Sequence, residues 1–181
     1  MIEAFQELRS VTGQNVRLVP LGPEHYDGEW AMLQNEEGRR LTGTHATFEP
    51  DQVRAWLAKV CQAPDRADWA IIRESDDAFL GEAVLNELDE ENRSVSFRIS
   101  LAGEFGKGYG TEATRLAVGY AFEVACLHRV HLEVFNHNPR ARRVYEKCGF
   151  TAEGEHRDAL WWDGEWHNTT TMAILSTDPR P

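Results

Sequence analysis

Cysteine is scarce in this chain: Cys61, Cys126 and Cys148 are the only three among 181 residues. An odd, scattered set without C-x-x-C spacing fits neither a disulfide framework nor a zinc site, and suits a reducing compartment. Long apolar runs are also lacking, so nothing predicts a membrane span. The opening MIEAFQELRS has neither the basic nor the apolar region of a signal peptide, which makes a cytoplasmic protein the expectation. Basic charge is in short supply, with 19 Lys and Arg against 30 Asp and Glu and a net charge of −11. Such a chain has no broad basic face for neutralising phosphates, so nucleic acid is not an expected partner. Repeats, low-complexity tracts and linkers are missing too, and the length suits one domain with its own core.

One segment runs against the acidic average. NHNPRARRVYEK carries Arg140, Arg142, Arg143 and Lys147, and Lys107 lies upstream in a glycine-rich stretch. Brought together, these would give an acidic protein one local anion site.

Hydrophobic periodicity sets the elements around that segment. QNVRLVPL (14–21) alternates as an opening strand, and a helix from about His25 to Asn35 places Trp30 and Leu33 inward. TFEPDQVRAWLAKVCQ has Pro50 at a first-turn position and Val53, Trp56, Leu57 and Val60 at helical spacing. DWAIIRE, AFLGEAVLNEL and RSVSFRISL form an antiparallel meander. TEATRLAVGYAFEVA is helical, with Ala113, Leu116, Ala117, Tyr120 and Ala121 as its buried stripe. RVHLEVFN is a strand. PRARRVYEKC is a short helix capped by Asn138, with Pro139 in its first turn and Gly149 past its end. Two final strands meet at Asp163-Gly164, a hairpin signal. The order β-α-α-β-β-β-α-β-α-β-β implies one α/β (α+β) domain.

The glycine stretch EFGKGYGTEA, Glu104–Ala113, asks what anion its backbone is cleared to touch. It fails the phosphate-loop pattern, since Leu101 replaces the first glycine and Gly108 follows Lys107 where Ser or Thr is required. Gly108–Ala113 does match G-x-G-x-x-A, with Glu133 downstream, but a dinucleotide fold beginning near residue 95 would have too little chain left. A third reading is a pyrophosphate cradle: N–H groups from Gly106 to Thr111, bare of side chains, at a helix N-terminus.

LEVFNHNPRARRVYEKCGF adds Asn138 and Tyr145, two helical turns apart, with small Ala141 between them. Glycine loop, Asn138, Tyr145 and YEKCGF together resemble the GNAT superfamily of acetyl-coenzyme A dependent N-acetyltransferases. The ending GFTAEGEHRDALWWDGEWHN is most similar to its ribosomal-protein N-terminal and spermidine acetyltransferase branch. The resemblance covers about residues 14–175. It implies a GNAT fold, a mixed, mostly antiparallel twisted sheet of about seven strands flanked by about four helices. It also implies acetyl-CoA as co-substrate, an amine acceptor and a possible homodimer. By that resemblance Gly106, Lys107, Gly108, Tyr109, Gly110 and Thr111 hold the pyrophosphate, Ile99 and Ser100 pair with the pantetheine arm, and Asn138 bonds it as well. Two departures stand out. Phe105 occupies the place of a usual Gln or Arg, so Lys107 or Arg142 is expected to compensate, and Val95 and Ser96 stand where relatives carry an acid.

Acetyl transfer needs a neutral amine, a stabilised oxyanion and a hydrogen bond or proton for the departing thiolate. By the resemblance Tyr145 faces the sulfur, which suits the thiolate, and Glu133 stands where ribosomal N-terminal acetyltransferases use a glutamate as proton acceptor, so it is the first candidate base, with Glu82, Glu87 and His131 behind it. The spacing of His128, His131 and His137 crosses from helix end to strand to loop and does not suit a metal. Trp161, Trp162 and Trp166 flank the hairpin turn, as sheet packing, dimer contact or a wall of the acceptor pocket. A catalytically silent coenzyme A or nucleotide binding module is the rival reading. Which amine is accepted is not legible at this level.

Overall fold

The structure, a computed structural model, describes residues 3–181, apart from the side chains of Glu3 and Cys61. Eight strands form one sheet: β1 (Val11–Thr12), β2 (Val16–Pro20), β3 (Ala67–Arg73), β4 (Phe79–Asp89), β5 (Ser94–Leu101), β6 (Arg129–Phe135), β7 (Thr151–Trp162) and β8 (Glu165–Leu175). Their spatial order is β1-β2-β3-β4-β5-β6-β8-β7, antiparallel everywhere except between β5 and β6. The α-helices are α1 (Glu3–Gln6), α2 (Tyr26–Leu33), α3 (Glu36–Thr42), α4 (Pro50–Leu57), α5 (Tyr109–Gly119) and α6 (Pro139–Lys147). A π-helical turn, Tyr120–Val124, extends α5. The mixed α/β architecture and its GNAT-type layout match the sequence reading.

Three elements go beyond it. Strand β1 is a two-residue edge, too short to carry an alternation. Helix α1 is four residues long. Helix α3 has an Asn35 side chain that accepts from Gly38 N–H and a left-handed Gly43 at its end, but its EEGRRLT sequence has almost no apolar stripe to announce it.

The sheet is covered on both faces, which explains why β3 reads as a continuous apolar run rather than an alternation. Trp69 and Ile71 enter the larger core beneath α5 and α6, while Ala70 and Ile72 enter a smaller one with Leu21, Val53 and Leu57. Trp30 and Leu33 pack half-buried on that smaller core. The fully buried positions of α2 are Met32 and Glu29. In α5, Thr114 and Val118 are buried with Ala113 and Ala117, and Leu116 is only partly covered.

Helix α6 is set by its ends. Asn138 Oδ1 accepts from Ala141 N–H at 3.1 Å, Pro139 opens the first turn, and Gly149 (φ +95°) stops the helix so that Phe150 N–H bonds back to Tyr145 C=O at 3.0 Å. Asp163 and Gly164 both have positive φ, as a two-residue primed turn requires, and join β7 to β8.

Candidate functional site

Strands β5 and β6 run side by side for only three residue pairs, Ser94–Ser96 against Arg129–His131. Beyond Ser96 and His131 they part: β5 stays bonded to β4 and β6 to β8, and their facing edges are left open. A parted parallel pair exposes main-chain N–H and C=O groups inside the protein, where they need partners. The gap opens into a cleft of about 710 Å³.

The mouth of the cleft is the glycine loop. Gly106, Gly108, Tyr109, Gly110 and Thr111 all line it, and α5 begins with Gly108 as its N-cap at φ +85°. Nothing lies within 4 Å of where a Cβ on Gly106 or Gly108 would stand. The loop is therefore bare backbone at the positive end of a helix dipole, a shape that fits an anion.

Positive charge reaches this mouth by an unexpected route. The Arg140 guanidinium lies 3.6 Å above the Phe105 ring, and both residues line the cleft, as do Arg143 and Lys147. Lys107 does not line it; its ammonium bonds Glu104, which also pairs with Arg73 at 3.1 Å. Arg142 also lies off the lining, donating to Glu146 at 3.0 Å. Arg140 is thus the cation in contact with Phe105, while Lys107 and Arg142 stand outside the lining.

Ile99 and Ser100 line the open edge of β5, and Tyr145 closes the floor, 6% exposed, with Phe97 edge-on at 6.4 Å and Phe150 at 5.9 Å. Burial, with the nearby Cys148 adding to it, pushes the Tyr145 hydroxyl well above the ordinary tyrosine range, so it stays protonated. Among the described residues that hydroxyl has no hydrogen-bond partner. Asn138 lines the cleft as well, but both ends of its side chain are engaged: Oδ1 caps α6 and Nδ2 reaches Leu41 C=O at 3.5 Å.

The opposite wall holds Glu82, Glu87, His131 and Glu133. Burial, helped by the Arg129 charge, holds the His131 ring below the ordinary histidine range, against the pull of Glu87 and Glu133. Burial raises Glu82, with Arg98 opposing. Behind it lies Glu29, 1% exposed and pushed up to about 9 by burial and by the charges of Glu82 and Asp68. Asp68 is itself clasped by Arg66 through two bonds of 2.7 Å.

Helix α3 roofs this wall. Arg40 C=O accepts from the His137 ring at 2.9 Å, and Met32, Leu33, Leu41 and Phe48 complete the lining. Trp162 stacks on His45 at 4.9 Å, whereas Trp161 and Trp166 pair with each other and are exposed. Among the described residues no cluster of His, Cys, Asp and Glu is arranged to hold a metal ion, and no helix is long and apolar enough to cross a membrane.

Of the residues singled out in the sequence, Ile99, Ser100, Gly106, Gly108, Tyr109, Gly110, Thr111, Asn138, Tyr145 and Glu133 meet in this one cleft. Missed were Glu29 and the α3 roof, and Arg140, whose NPRARR segment had marked it only as part of a charge run. A parted sheet with a glycine-led helix at its mouth is the architecture of coenzyme A dependent acyltransferases. The chain belongs to the acetyltransferase (GNAT) domain family, which matches residues 15–151.

Spermidine N(1)-acetyltransferase of Escherichia coli (strain K12) is 32% identical over 112 residues, which cover 61% of this chain and 60% of that protein. The [ribosomal protein uS5]-alanine N-acetyltransferase of the same strain is 32% identical over 76 residues, 42% of this chain and 39% of that protein. The chain thus spans less than two thirds of the length of these relatives. In fold, the spermidine N-acetyltransferase of Vibrio cholerae, solved in complex with CoA and spermine, superimposes with a TM-score of 0.85 at 23% identity, over 91% of this chain and 98% of that one.

Proposed function

We propose that this protein is an N-acetyltransferase that moves an acetyl group from acetyl-CoA to a primary amine. The observation that carries the reading is the parting of β5 and β6, which opens one cleft between the glycine loop, Tyr145 and an acidic wall. The pyrophosphate lies on the N–H groups of Gly106 to Thr111, with Arg140 supplying the charge that Phe105 does not. The pantetheine arm adds itself to the free edge of β5 at Ile99 and Ser100, as a strand would. Asn138 borders that arm, and its cap and its bond to Leu41 hold it in place. Lys107 and Arg142 contribute at a distance, through the field of the mouth.

The amine attacks the thioester carbonyl directly, since neither motif pairs a Cys or Ser with a base. An N–H on the open edge of β5 meets the developing oxyanion. Tyr145 donates a hydrogen bond to the departing sulfur. An ordinary tyrosine is already about 2 kcal/mol short of protonating a thiolate fully, from reference values near 10 and 8.5. Burial widens that gap, so the hydrogen bond rather than complete proton transfer is the role. Glu133 takes the proton of the amine, with Glu87 and His131 beside it.

The acidic wall and the net charge of −11 favour an amine on a cationic body, a polyamine first and a protein N-terminus second. By name, the two E. coli relatives act on spermidine and on an alanine of ribosomal protein uS5. A thiol-release assay over polyamines, N-terminal peptides and amino sugars tests the reading. Release with at least one amine supports it; no release, with no calorimetric binding of acetyl-CoA, overturns it.

A homodimer through β7 completes the proposal. This edge strand is exposed on every residue from Thr151 to Ala159, and Trp161 and Trp166 add apolar surface at its end. Light scattering at the mass of one chain would refute it.

A further inference from the structure

Glu112, four residues into the helix that leaves the glycine loop, turns its carboxylate away from the cleft and into the turn before β2. Oε1 accepts from three successive backbone N–H groups, Gln14 at 2.5 Å, Asn15 at 2.8 Å and Val16 at 3.3 Å, and Oε2 accepts from Asn15 Nδ2 at 2.9 Å. Three consecutive amides around one oxygen make an anion nest within the protein. Burial works against the charge, yet the bonds from Asn15, Val16 and Gln14 hold the carboxyl below the ordinary range. Gly13 makes the fit possible: a Cβ there would stand 2.3 Å from Oε1.

The glycine loop is tied at its start, where Glu104 pairs with Lys107 and Arg73 and Phe105 lies under Arg140, and Glu112 adds a tie from the first turn of α5. Gly106 and Gly108 are surrounded by open space, and their positive φ values are accessible to a glycine in many other loop shapes. Glu112 joins the first turn of α5 to the sheet across almost a hundred residues of chain. Its placement also matters electrostatically, because a free carboxylate one turn from the phosphate cradle would oppose an anionic ligand.

We propose that Glu112 is a positioning residue for the coenzyme: locked by residues 14–16, it holds the N–H groups of Gly108–Thr111 in their anion-binding array and keeps its own charge away from it. The proposal rests on the reading of the glycine loop as the pyrophosphate site.

Calorimetry of the full chain with acetyl-CoA comes first; absence of binding in the wild type would overturn the coenzyme reading and this role with it. Given binding, Glu112→Gln keeps the shape and removes the charge. The expected result is a KM for acetyl-CoA raised about tenfold, the loss of a charge-assisted bond, with kcat and the KM for the amine within about twofold. An unchanged KM for acetyl-CoA, or a fall in kcat with a rise in both KM terms together, overturns the role and leaves Glu112 as mere scaffolding. Gly13→Ala expels the carboxylate, so it should weaken acetyl-CoA binding more than Gly13→Ala/Glu112→Ala does; the reverse order also overturns it. Should Glu112→Gln fail to fold, Asn15→Ala, which removes only the Oε2 partner, decides: about a threefold rise in the KM for acetyl-CoA supports the role and no rise refutes it.

Discussion

Arg140 and Phe105, thirty-five residues apart in sequence, meet with the guanidinium 3.6 Å above the ring at the mouth of the cleft. The aromatic residue thereby holds a cation where a charged side chain would otherwise stand in the loop itself. A partly exposed cation–π contact contributes on the order of 0.5–1 kcal/mol. Phe105→Ala should therefore raise the KM for acetyl-CoA about threefold, by releasing Arg140 rather than removing it. Arg140→Ala should raise it further, and its deficit should shrink as salt is added, because the lost term is screened. Steady-state kinetics at two ionic strengths check both, and equal effects at both strengths would show that Arg140 does not act through charge.

Tyr145 is tested most cleanly by Phe. The residue is buried, but its hydroxyl has no partner among the described residues and borders the cleft, so removing it costs the fold nothing and Tm should hold or rise. If it serves the departing sulfur, kcat should fall about a hundredfold or more while acetyl-CoA affinity stays within about twofold. Full activity in Tyr145→Phe would reduce Tyr145 to a core residue.

Much of this site was legible because it depends on local chain signals. Gly108, Asn138, Pro139 and Gly149 act within a turn of where they stand, and the Asp163-Gly164 hairpin is set by two positive φ angles. What escaped depends on contacts between distant segments. Arg140 was legible as charge but not as the partner of Phe105. Glu29 reads as an ordinary acid on a mixed helix, and only the packing of α2 against β4 makes it a buried one. Helix α3 lacks an apolar stripe; it is held by its Asn35 cap and by His137 bonding Arg40 C=O. In the buried stripe of α5, Leu116 is only partly covered while Thr114 and Val118 are buried, a detail that depends on what the helix packs against and not on its period.

Gly81 fixes how closely β4 and β5 can run. A Cβ there would stand 2.0 Å from Ser100 C=O, on the strand segment whose other edge faces the cleft. With its φ of +149° the position is also unfavourable for other residues. Gly81→Ala should cost about 2–4 kcal/mol of stability, from overpacking plus backbone strain. Urea unfolding measures that cost. Because the relief available is to push Ser100 outward, acetyl-CoA affinity should fall in the same variant, and an unchanged affinity would place the pantetheine arm elsewhere.

Glu29 makes stability fall with pH in a definable window. Its carboxyl titrates near 4.5 when the chain is unfolded and near 9 in the folded protein, where burial and the charges of Glu82 and Asp68 disfavour ionisation and Arg98 only partly opposes them. Below the lower value both states hold the proton. Between the two values only the folded state holds it, so the unfolded state binds fewer protons and stability declines as pH rises. Above the upper value both states are ionised and the cost is constant. Glu29→Gln keeps the size and the neutral form, and so removes this decline. Its Tm should match the wild type in mild acid and exceed it by a margin that widens through neutral to alkaline pH. Thermal unfolding across that range is the measurement, and a gap that does not change with pH would mean that Glu29 is already ionised in the folded protein.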